Sequence, residues 1–124
     1  MKLACFVGLG GLIGTVARYL LNTSIQNRVG TLFPVGILTI NIMGSFAIGF
    51  IAAFFAARPG VRTDVVVFLM TGIVGGFTTM SAFALDAVLL MQEGRGDLAA
   101  LYVGATLGAC LAAVWLGQLA AGSN

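Results

Sequence analysis

Gly72-Ile73-Val74-Gly75-Gly76-Phe77-Thr78-Thr79-Met80-Ser81-Ala82-Phe83 lies inside an apolar run over positions 65–91. A membrane-spanning helix needs about 20 predominantly apolar residues, so the run is long enough to cross a bilayer. Yet these twelve positions hold three glycines, two threonines and a serine. Glycine weakens a helix, and a helix that opens in lipid exposes carbonyls that nothing there can pair. Such a break is tolerated at membrane depth only where it is buried in protein or lines a polar cavity. The stretch therefore predicts a helix broken from Gly75 to Thr79, and a chain that binds or moves something small and polar.

Composition agrees with a membrane setting. Of 124 residues, 60% are hydrophobic and 8% charged, against about 25% charged in a soluble domain. A soluble domain this short has no interior large enough to hide that much apolar surface. The chain reads as one integral membrane domain. It has no histidine, which excludes an imidazole zinc site or a histidine proton relay. Cys5 and Cys110 both sit in apolar runs, with no spacing that suggests a disulfide or a metal site. A net charge of +2, scattered along the chain, gives no nucleic-acid footprint. The apolar N-terminus lacks a small-residue cleavage motif and is read as a retained first span.

Four spans follow, over about 3–21, 34–57, 65–91 and 98–121. Positions 22–30 read as a polar connection. Pro34 suits the first turn of the second helix, and Thr63 or Asp64 is placed to cap the third. Four spans put both termini on one side, together with the 58–64 turn. The Lys and Arg residues that orient a membrane protein then divide as Lys2, Arg58 and Arg62 against Arg28, Arg95 and an outward-snorkelling Arg18, three against three. Without a bias the chain is free to insert both ways, and two such copies would pair as an antiparallel homodimer. Gly10 and Gly14, Gly72 and Gly76, and Gly104 and Gly108 recur at helix-packing spacing. They suit contacts within one subunit as well as between two.

Few polar groups lie within the spans. Arg18, about a turn from the end of its span, is either an interfacial arginine or a charge that draws anions to a pore mouth. Asn41 is near mid-span, where an amide needs partners. It suits interhelical bonding and pore lining equally. Thr39 and Ser45 are weaker, since a hydroxyl can satisfy itself on its own helix. Asp86, the one carboxylate well inside a span, is read as the wall of a water-filled vestibule. Tyr102, Thr106 and Cys110 share one face of the fourth span; Tyr102 also suits an interfacial anchor, as does Trp115. The donors Asn41, Thr39, Ser81, Thr106 and Tyr102, with the ring edge of Phe83, favour an anion. The freed carbonyls favour a hard cation such as sodium. Both together suggest a fixed cation beside an anion path.

Two soluble motifs fail. Gly8-Leu9-Gly10-Gly11-Leu12-Ile13-Gly14 has its last glycine one place late for a dinucleotide fingerprint and follows no strand, and the Gly72 stretch lacks the lysine of a phosphate loop. Instead, Gly10-Gly11-Leu12-Ile13-Gly14-Thr15-Val16-Ala17-Arg18-Tyr19, Gly36-Ile37-Leu38-Thr39-Ile40-Asn41 and the Gly72 to Phe83 stretch resemble, in order, the Fluc fluoride channels, also called the CrcB family. The resemblance implies a dual-topology homodimer in the inner (plasma) membrane, with two fluoride pores and a structural sodium ion at its centre. It implies passive fluoride export and no enzymatic step. Backbone carbonyls of Gly75 and Thr78 would hold the sodium. Asn41, Met80, Ser81, Phe83, Thr39, Tyr102, Thr106 and Cys110 would line the pore, with Arg18 and Asp86 at its vestibule.

The chain departs from that pattern twice. Met80 stands where the family's first pore phenylalanine is expected, and Cys110 where many members carry serine. The rival reading is a small multidrug-type cation/proton antiporter, which needs an acid in its first span. This span has Arg18 and no acid. A structural membrane subunit is the third reading.

Overall fold

The computed structural model describes residues 1–122, and every described element is helical. The elements are α1 (Lys2–Val29), α2 (Val35–Ala56), α3 (Thr63–Val67), a π-helical segment (Phe68–Val74), α4 (Gly75–Phe77), α5 (Met80–Gln92) and α6 (Gly96–Ala120). Four helical stretches are long and apolar enough to cross a membrane: Lys2–Val29, Val35–Ala56, Thr63–Gln92 and Gly96–Ala120. The chain is a multi-pass membrane protein.

The first span is longer than its apolar run suggested. Positions 22–30 were expected to connect helices, but α1 continues to Val29 and stops at Gly30, whose φ of 62° is the left-handed cap glycine adopts freely. Of the polar residues that suggested a loop, Asn22 and Gln26 face the start of α2. Gln26 Oε1 accepts a hydrogen bond from the Gly36 N–H at 2.6 Å, replacing the intrahelical partner that a first-turn N–H lacks. Gly36 also lies against Asn22: a Cβ there would sit 3.1 Å from the Asn22 side-chain amide carbon. Pro34 occupies the cap position of α2. Arg62, not Thr63 or Asp64, is the cap residue of α3, and Asp64 forms an ion pair with Arg62.

Two glycine contacts set the packing. Gly10 and Gly14 of α1 face Gly72 and Gly76, backbone against backbone. A Cβ on Gly10 would lie 2.6 Å from the Phe68 carbonyl oxygen, and one on Gly76 would lie 2.8 Å from that of Gly11. Close approach of this kind is what small residues provide where lipid supplies no hydrophobic drive. The second contact joins α2 and α6, where Gly49 meets the backbone of Val114 and Gly117 that of Phe46 and Phe50. A methyl added to Gly104 or Gly108 would meet nothing within 4 Å, so both glycines face outward. The buried core gathers Ile37, Ile40, Phe83, Ala87, Leu90, Ala99 and Tyr102. Large apolar residues such as Leu12, Leu85, Leu111 and Trp115 are exposed on the outer surface, as lipid-facing or partner-facing side chains must be.

The third span changes character along its length. Its backbone is helical through Phe77, including Gly75 and Gly76, where a break had been expected to begin. Only Thr78 (φ −84°, ψ 157°) and Thr79 (φ −153°, ψ 118°) are extended. The seven-residue π segment, which α4 separates from them, meets Gly10 and, at Ile73, Gly14.

Candidate functional site

The extended pair is held from both sides. Asn41 of α2, 8% exposed, donates from Nδ2 to the Thr79 carbonyl at 3.2 Å and accepts the Thr79 N–H on Oδ1 at 2.9 Å. One amide side chain thus pairs both backbone groups of one residue, as a neighbouring strand would. Gly44, three residues further along α2, leaves room for the Thr78 methyl to come against the helix. From the other side, Arg18 Nε donates to the Gly76 carbonyl at 3.2 Å, and the Thr15 hydroxyl lies 3.5 Å from the same oxygen. Arg18 is therefore turned to the break. It lies 11 residues before the end of α1, with its side chain on the third span.

Thr79 also starts α5, its Oγ1 accepting the Ala82 N–H at 3.2 Å. That hydroxyl is 3.3 Å from the Ser81 hydroxyl. Thr78 keeps the preceding helix in register: its N–H and its Oγ1 both donate to the Val74 carbonyl, at 3.0 and 3.1 Å. Helical register ends between these two threonines.

Beside the break lies a cavity of about 350 Å³. Asn41, Thr78, Thr79, Met80, Phe83, Thr106 and Cys110 line it, with Ser45 on the α2 side and Val114 continuing the α6 stripe. Met80 is 70% exposed, at the open edge. Phe83 is buried and stacks at a tilt on Tyr102, ring centroids 5.1 Å apart, while Phe33 meets Tyr102 edge-on at 5.5 Å. The Thr106 hydroxyl is buried without a hydrogen-bond partner, on a residue 6% exposed. A buried hydroxyl left unpaired costs about 1–3 kcal/mol, and Thr106 is one of the residues that line the cavity. Asn41 Nδ2 carries two hydrogens, one of them spent on Thr79.

Other expected residues fall elsewhere. Tyr102 is fully buried, which rules out an interfacial anchor. It backs Phe83 and donates its hydroxyl to Asp86 Oδ2 at 3.4 Å. Asp86 borders a separate recess of about 110 Å³ with Leu32, Pro34, Leu89 and Leu90. Thr39 and Ser81 do not line the main cavity, whereas Ser45, set aside as weak, does. Its spacing of four residues from Asn41 was the available signal.

No cluster of three or more His, Cys, Asp or Glu gathers among the described residues, so any cation would rely on carbonyls. The donors that a continued helix would send to the Gly75 and Thr78 carbonyls are the N–H groups of Thr79 and Ala82. Both are bonded to side-chain oxygens instead. These two carbonyl oxygens, three residues apart, thus lose their helical donors, a ligand chemistry that fits a hard cation such as sodium. Two ligands do not complete a coordination shell.

A family model described as CrcB-like protein, Camphor Resistance (CrcB), matches residues 5–118. The chain belongs to the CrcB family. It is 43% identical over 111 residues to a protein of Rhizobium meliloti (strain 1021) named fluoride-specific ion channel FluC, covering 90% of this chain and 89% of that one. Relatives of the same name from Cereibacter sphaeroides (strain ATCC 17029 / ATH 2.4.9) and Ruegeria sp. (strain TM1040) are 46% and 47% identical, over 92% and 93% of this chain and 90% of each of theirs. Family membership thus extends over all four spans, the clamped break and the cavity wall.

Proposed function

We propose that this chain is a fluoride-selective ion channel that lets cytoplasmic fluoride leave the cell down its gradient. The observation that carries the reading is the near-full-length similarity to relatives named fluoride-specific ion channels. The cavity supports it chemically. Fluoride is small and strongly hydrated, so a pore must replace its water with close donors. The free Thr106 hydroxyl, the second Asn41 N–H and the Phe83 ring edge supply them without a carboxylate on the wall. In a bacterium the channel would sit in the inner membrane.

The finer arrangement belongs to the same proposal. Two copies would insert in opposite orientations and pair across the break. The Gly75 and Thr78 carbonyls of both would enclose a structural sodium, leaving one pore along each cavity. Ion passage then needs no covalent step. The protein binds, orients and releases the anion, and excludes bulk water.

Reconstituted liposomes loaded with fluoride or with chloride test this. Fast fluoride efflux with chloride retained is the expected result; equal efflux of both, or none, would remove the assignment. A multidrug-type antiporter is disfavoured by the first span, which carries no acid and whose Arg18 is bonded to the third span.

A further inference from the structure

Asn41 does more than offer a donor to the cavity. In a continued helix the Thr79 N–H would return to the Gly75 carbonyl, four residues back. Here Asn41 Oδ1 takes that N–H at 2.9 Å, while Asn41 Nδ2 holds the Thr79 carbonyl at 3.2 Å. Thr78 still donates in helical register to Val74 at 3.0 Å, so register is lost one residue later, where Asn41 acts. Gly44 seats the Thr78 methyl on the same face of α2.

We propose that Asn41 is a positioning residue for the cation site: by pairing both backbone groups of Thr79, it keeps the Gly75 carbonyl free to face a sodium-sized cation. The inference rests on the fluoride-channel reading with its central cation. It assigns the cavity asparagine a second task, in which one amide links the anion path to the cation at the core. Removing the clamp lets the Thr79 N–H close back onto Gly75 and withdraws a ligand. The role depends on the Oδ1 acceptor, whereas the anion path depends on the spare N–H.

The two tasks separate by substitution. Asn41→Asp keeps an oxygen to accept the Thr79 N–H but presents a carboxylate to the anion. Asn41→Leu loses both. Purified wild type and variants are melted in sodium chloride and in N-methylglucamine chloride at equal ionic strength, and fluoride efflux is measured alongside. Sodium is expected to raise the melting temperature of the wild type, as any ligand of the native state does, and of Asn41→Asp. In Asn41→Asp efflux falls. In Asn41→Leu the sodium concentration giving half the rise should increase about tenfold or more, the scale of one hydrogen bond to a well-placed group. A full sodium rise in Asn41→Leu, or its loss in folded Asn41→Asp, overturns the clamp. Should Asn41→Leu fail to fold, the aspartate arm decides alone. A wild type that conducts fluoride but shows no sodium rise removes the central cation itself, and with it this role for Asn41.

Discussion

At the scale of single residues, the cavity wall combines groups of unequal value. Thr106→Val keeps shape and deletes an unpaired buried hydroxyl. The variant should be about 1 kcal/mol more stable, since the unpaired group costs that much or more, while fluoride efflux drops several-fold for want of a donor. A melting curve and a liposome assay read the two effects separately, and an unchanged efflux would show that the ion passes without touching Thr106. Met80 supplies a flexible thioether where an aromatic edge suits an anion better. Met80→Phe is therefore expected to keep or raise efflux, and a clear loss would count against ring edges as anion contacts here. Cys110 lines the same wall and is half-buried. Silver ions should thus slow efflux in the wild type and not in Cys110→Ser, with Cys5 unchanged in both as the internal control. The polar positions of this site were legible because amides, hydroxyls and acids are scarce in spans. Their partners were not. Nothing in Asn41 or Arg18 as residue types says that each would bind the backbone of the third span, since that depends on how helices approach.

At the scale of elements, the four spans were legible from hydropathy and their ends were not. Asn22 and Gln26 look like a loop in sequence because polarity is the only local cue. Both are helical, Gln26 bonding the first turn of α2 and Asn22 packing against Gly36. The break was misjudged in the same direction. Gly75 and Gly76 suggested a helix weakened from Gly75 onward, yet both remain helical, Gly76 pressed against Gly11 of α1. Gly76 is there for approach, and the departure from helix is left to two threonines that Asn41 and the α5 cap hold extended. Glycine pairs therefore differ in what they tolerate. A methyl on Gly72 would lie 2.9 Å from the Gly10 Cα, whereas one on Gly104 meets nothing within 4 Å. Gly72→Ala should destabilise by about 1–3 kcal/mol through overpacking. Gly104→Ala should leave the melting temperature unchanged. Thermal unfolding in detergent compares them directly, and equal tolerance at both would mean that α1 and the third span are not in backbone contact.

At the scale of the whole molecule, the question is how a chain with a half-open cavity and two spare carbonyls completes itself. Its charges bear on the answer. Arg18 is engaged by Gly76 and does not count towards orientation. That leaves Lys2, Arg58 and Arg62 on one side against Arg28 and Arg95 on the other. A difference of one positive residue is a weak instruction under a rule that counts Lys and Arg in short loops. Both insertions should therefore coexist, and neither alone should conduct if the pore needs an antiparallel pair. Two variants with opposite bias examine this. Gly60→Lys with Arg28→Gln sets four positive residues against one. Lys2→Gln with Asn27→Lys and Gln92→Lys sets two against four, counted from the same residues. A Cβ at Gly60 meets nothing within 4 Å, and Asn27 and Gln92 are exposed, so folding should be spared. Each variant should show a single orientation with a C-terminal topology reporter and little fluoride efflux when expressed alone. Coexpressed, they should restore efflux towards the wild-type level, because opposite orientations then meet in one membrane. Full efflux from either variant alone would show that a single orientation suffices and that the antiparallel pair is not the conducting unit.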